Sequence, residues 1–141
     1  MSIPPRLLQI LRSAGGVVLG YAVIAVCTSL GFGQLGGIIH LNAPIRIHVA
    51  AILLAVTSGL LGGMTAALVA GRYPIRHATA VLIFLCIDTG VVLSRGSTDP
   101  LWFDLMGAAT LMLATVCGGA LYSVLGKHSG RSNSRDSVNR A

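Results

Sequence analysis

The chain has 141 residues, of which 54% are hydrophobic and only 10% charged, with a mean hydropathy of +0.81. That leaves too little polar surface to cover a water-soluble globule of this size, so the composition excludes a soluble domain and points to a membrane protein. The net charge of +6 does not indicate a nucleic-acid partner, because the basic residues stand at the ends of apolar runs and in the C-terminal tail, not interleaved with aromatics on one face.

Residues 1–13 open the chain with Ile3, Leu7, Leu8, Ile10 and Leu11 set against Arg6, Gln9 and Arg12. This is a short amphipathic segment suited to a headgroup boundary on the cytoplasmic side. No charge appears from Ser13 to Ile45, and about twenty residues at helical rise cross a hydrocarbon core of about 30 Å. Helix 1 is expected over 14–32. Its apolar run is longer than the core of a cleaved signal peptide, and Val26 before Cys27 is too bulky for lipoprotein processing, so helix 1 is expected in the mature protein.

An outer loop follows, in which Asn42 is a candidate cap and Pro44 fixes a backbone angle suited to a helix start. Helix 2 is expected over 47–70. Within it Gly59, Gly63, Ala67 and Gly71 recur every four residues and fall along one nearly continuous face. Lipid tails are as apolar as leucine, so close packing of small residues takes the place of hydrophobic drive between helices. Helix 2 is therefore expected to be the central packing element.

The turn GRYPIRH is a hairpin connection, with Tyr73 at the interface and Pro74 opening helix 3 over 75–93. A second outer loop ends in Asp99-Pro100, an N-cap residue followed by one favoured at the first helical position. Trp102 and Phe103 mark the outer interface of helix 4, expected over 101–125. Residues 127–141, with four serines and four basic residues, read as a disordered basic cytoplasmic tail. All five prolines lie outside the spans or in their first turns, which agrees with these boundaries.

Orientation follows from the basic residues. Arg6, Arg12, Arg72, Arg76, Lys127, Arg131, Arg135 and Arg140 fall on one side of the four spans, and Arg46 and Arg95 on the other. The positive-inside bias then puts both termini in the cytoplasm.

Helices 2 and 4 echo one another: Gly62-Gly63 precedes Gly71-Arg72, and Gly118-Gly119 precedes Gly126-Lys127. Duplication of a two-helix hairpin, giving a 2+2 parallel repeat, is one explanation. The other is that glycines and a terminal base are common in such helices. Further small-residue faces, Gly16 with Gly20 and Thr115 with Gly119 and Ser123, are available for self-association or a partner.

Asp88 needs a chemical account. A carboxylate inside a span costs roughly 2.5 to 3.5 kcal/mol on insertion scales, so it should face protein or water. It lies roughly 8 to 10 Å below the outer end of helix 3. The same depth on the other helices reaches Thr28, Ser29, Thr57, Ser58 and Thr110, a layer of hydroxyls able to hydrogen-bond a carboxyl. Arg95, seven residues on, is a distant partner. Two roles are open: a proton- or cation-binding carboxylate in a small carrier, or a hydrogen-bonded residue that holds the bundle together.

Other sites are weakly supported. His40 and His48 stand on one side of the membrane and His77 and His128 on the other, so no metal-ligand cluster forms. Tyr21 reads as a packed aromatic bonded to a neighbouring helix. Cys27, Cys86 and Cys117 lie in apolar runs without CxxC spacing and read as reduced, packed residues. Neither a Ser/His/Asp set, paired carboxylates nor a phosphate-cradling loop is present, so no enzyme and no cofactor is expected.

The stretch GGMTAALVAGRYPIRHA, Gly62 to Ala78, resembles a recurrent glycine-rich helix and arginine turn of short four-helix bacterial inner-membrane proteins. The resemblance covers one hairpin and implies no particular activity. Together these features predict an all-α, four-span antiparallel bundle in the bacterial inner membrane. Its partners are the bilayer and either a second copy or another membrane protein. The expected role is a non-enzymatic accessory or interaction subunit, the alternative a small proton- or cation-coupled carrier using Asp88.

Overall fold

The computed structural model describes residues 4–37, 39–71, 73–96 and 100–138. Four helices account for nearly all of them: α1 (Pro5–Gln34), α2 (Ile45–Ala70), α3 (Pro74–Ser94) and α4 (Leu101–Val138). No strand occurs among the described residues. Each helix holds a stretch long and apolar enough to cross a membrane, namely Leu7–Gln34, Ile45–Ala70, Pro74–Ser94 and Leu101–Leu125. The fold is a four-helix bundle.

Proline sets the helix starts. Pro4 and Pro44 are N-caps, Pro5 and Pro74 occupy first-turn positions, and the Phe103 amide donates to the Pro100 carbonyl at 2.9 Å. A missing amide costs nothing where the first turn has no carbonyl to meet it. Neither α1 nor α2 has a side-chain cap, so the expected cap at Asn42 is not used; the Asp99 cap lies outside the described residues. Glycine sets the ends. Gly37 donates to the Phe32 carbonyl at 2.8 Å and Gly36 to the Gly33 carbonyl at 3.4 Å, both glycines having positive φ, which is a Schellman closure of α1.

Two boundaries differ from the sequence expectation. The N-terminal amphipathic segment is not separate: α1 runs unbroken from Pro5, because nothing between there and Gln34 interrupts the helix. Helical backbone likewise continues in α4 beyond Leu125 to Val138, where composition suggests an unstructured tail. Extending an existing helix needs no new nucleus.

The end of the bundle formed by the 71–73 turn is called here the turn end, and the one with the α1–α2 and α3–α4 connections the loop end. Central position belongs to α2, which touches the other three helices, whereas α1 and α4 do not meet. Glycine makes these approaches close. A Cβ at Gly59 would fall 2.7 Å from the Leu111 carbonyl oxygen, and one at Gly63 would overlap the Thr115 backbone. A Cβ at Gly118 would overlap the Leu60 carbonyl. On the other side of α2, a Cβ at Gly20 would lie 2.8 Å from the Gly62 carbonyl oxygen and one at Gly16 2.9 Å from that of Ala66.

The double glycines have unlike parts. Gly62 faces α1 and Gly63 faces α4, while Gly118 faces α2 and Gly119 meets Ala78 of α3. Moreover α1 and α3 touch, so they flank the parallel α2–α4 pair on the same side. A two-fold rotation of one hairpin onto the other would put them on opposite sides. Close crossings at both double glycines give the echo in the sequence a packing reason.

Burial is uneven along the bundle. The apolar core is Ile24, Ala66, Ala67, Ala78, Val81, Leu85 and Ala114, with Ser58 and Thr115 the buried polar residues. Among the described residues none from 25 to 57 and none from 86 to 113 is buried. Thus the buried contacts lie in the middle of α1 and the turn-end halves of α2, α3 and α4, and the loop-end half holds no buried residue among those described.

Candidate functional site

Asp88 stands in this loop-end half. It lies six residues before Ser94, the last residue of α3, or about 9 Å along the axis. Its side chain is exposed, and it has no hydrogen bond or ion pair among the described residues. Its carboxylate is within electrostatic reach of Tyr21 on α1, whose ring packs on Phe84 with centroids 5.6 Å apart.

The hydroxyl layer expected around Asp88 is not assembled. Thr28 donates to the Ile24 carbonyl at 2.8 Å, Thr57 to Leu53 at 2.8 Å and Thr110 to Met106 at 2.8 Å. Each threonine satisfies itself on the preceding turn of its own helix, a local partner always within reach. Ser29 is exposed. Ser58 is the exception: it is 1% exposed, and its Oγ has no partner.

Sequence reasoning missed Asp104. It sits in the first turn of α4, where a negative charge complements the helix dipole. The residue is half-buried, and its Oδ2 is shielded without a hydrogen-bond partner. An acidic residue one turn inside a Pro-initiated helix was the available signal. Just before it, Phe103 meets His48 of α2 edge-on at 5.6 Å and Trp102 at 6.0 Å. These rings tie the starts of α2 and α4 together at the loop end.

The packing residues expected in α2 and α4 divide by role. Gly59, Gly63, Gly118 and Gly119 stand at close helix contacts, and Ala67 is fully buried. Gly71 does something else. With φ at 69° it closes α2 in the left-handed region, its amide donating to the Ala67 carbonyl at 3.1 Å. A Cβ there would approach only Arg12 Nη2, at 3.6 Å. The faces of Gly16 with Gly20 and of Thr115 with Gly119, expected to be free for a partner, are occupied inside the bundle by α2 and α3.

At the turn end the Arg76 guanidinium lies 4.8 Å from the centroid of the Tyr73 ring, and His77 Nδ1 lies 3.0 Å from the Tyr73 carbonyl oxygen. All three cysteines are free, but Cys86 and Cys117 are exposed on the bundle surface and only Cys27 is partly packed. An apolar run in lipid can be lined with small residues on its outer face, so apolar context does not imply burial. Among the described residues no three His, Cys, Asp or Glu side chains come together. The arrangement therefore offers an exposed carboxylate inside a span, set among apolar side chains. No protein family, curated protein or solved structure matches the chain.

Proposed function

We propose that this chain is a non-enzymatic accessory or interaction subunit of the bacterial inner membrane, multi-pass and with both termini in the cytoplasm. The observation that carries the reading is Asp88, exposed and without a partner among the described residues, within a span on the half of the bundle where no described residue is buried. Lipid is a poor solvent for that carboxyl, and a protein partner against α3 relieves the cost. The apolar side chains around it fit a role in assembly. The eight-to-two distribution of basic residues supports the orientation.

Gentle detergent extraction followed by mass determination of the intact particle tests the reading. A complex of this chain with a different membrane protein is expected, and a monomer overturns it. A reporter fused to the C-terminus is expected to be active only in the cytoplasm.

A second reading, a small proton- or cation-coupled carrier using Asp88, is favoured by the same exposure if water reaches the loop-end half. Asp88→Asn separates the two. Lost ion flux with an intact assembly favours the carrier; lost assembly favours the subunit.

A further inference from the structure

The outer surface of α3 carries Phe84, Ile87, Asp88 and Val91, spaced i, i+3, i+4 and i+7 and therefore on one helical face. All four are exposed. Tyr21, resting on Phe84, forms the edge of this face on the α1 side. It is an apolar stripe one helix wide with a single carboxylate in it.

Among the described residues no base pairs with that carboxylate. Of the basic residues whose side chains are described, Arg46, Arg76 and Arg95 stand within two residues of a span's end or beyond it, and Arg12, five residues inside the α1 span, lies beside Gly71 at the turn end. Arg95, the nearest along the same helix, is seven residues on, or about 10 Å along the axis. A second copy in a closed dimer with its axis along the membrane normal repeats every residue at its own depth. It brings its bases to the same ends. The complement must come from a different chain.

We propose that the Phe84–Ile87–Asp88–Val91 face docks a membrane helix of another protein that carries a lysine or arginine within its span, level with Asp88. The pairing deepens, and rests on, the reading of this chain as an interaction subunit. The ion pair forms in a medium of low dielectric constant, where opposite charges hold strongly and an unmatched charge is excluded. Apolar contact along the stripe sets the register, and the charge pair selects the partner.

The test reconstitutes the full-length chain in phosphatidylcholine vesicles with synthetic single-span Leu/Ala helices. One carries a lysine six residues from its end, one an aspartate there and one only leucine, and association is read by energy transfer. The lysine helix is expected to associate at least tenfold more strongly than the leucine helix, and Asp88→Asn to remove that preference. Asp88→Glu keeps it. Asp88→Lys is expected to prefer the aspartate helix, a swap that an unfolded variant does not produce. Equal association of the lysine and leucine helices overturns the proposal, as does a preference that survives Asp88→Asn. A homodimer of the chain alone that Asp88→Asn dissolves also overturns it, since the face is then covered by a second copy. A native complex with another protein that is indifferent to Asp88 removes this inference and leaves the subunit reading; a native particle containing only this chain removes the reading itself.

Discussion

Two halves of the same four helices behave as different materials. Toward the turn end, α2 meets α1 and α4 through glycine, and backbone touches backbone at Gly20, Gly62, Gly63 and Gly118. Toward the loop end the same helices present Leu30, Ile52, Leu53, Ile87 and Met106 outward, and no described residue from 25 to 57 or from 86 to 113 is buried. Both halves are apolar. The difference lies in side-chain size at the crossing: where Cβ is absent, backbones approach until dispersion contacts hold them, and where bulky residues return, no described side chain is buried.

The strongest test fills the seam. Gly63→Leu drives a side chain into the Thr115 backbone and is expected to cost about 3 kcal/mol or more, read as a lower thermal midpoint in detergent. Unchanged stability would erase the contrast between the halves. Hydrogen exchange sharpens it: amides of 58–67 in α2 are expected to exchange about tenfold or more slowly than those of 47–57, because opening the tight half breaks buried contacts. Gly71→Ala is expected to cost about 1 kcal/mol, since its φ of 69° is unfavourable for a residue with a Cβ. Thr115→Val, which removes a hydroxyl bonded at 2.8 Å to the Leu111 carbonyl of its own helix, is expected to change stability by about 0.5 kcal/mol. Ile87→Ala, 60% exposed in the loop-end half, is expected to stay within about 0.5 kcal/mol. A large loss at Ile87 in the isolated chain would mean that the loop-end half is packed after all.

Much of this was legible in the sequence. Charge-free runs and the five prolines locate the four helices, and the four-residue recurrence from Gly59 to Ala67 marks α2 as the centre. Rotation about each helix axis was not legible. In a soluble protein the polar stripe shows which face is out, but helices apolar all round have no such stripe. For that reason Gly16 and Gly20 looked free although α2 covers them, and the letters left open whether Asp88 turns inward or outward, where it is exposed. Gly71 continued the four-residue recurrence yet serves the turn, because a C-cap glycine and a packing glycine are identical in a string of letters. The hydroxyl layer failed for a related reason: shared depth says nothing of direction, and each threonine has a nearer acceptor one turn back.

The parallel pairing of α2 with α4 also fixes an order of events during synthesis. Its α1-facing glycines can close as soon as the first hairpin has emerged, but Gly59 and Gly63 must wait until the last helix has left the ribosome. For that interval the nascent chain shows the membrane an open small-residue surface that only the arrival of Thr115 covers.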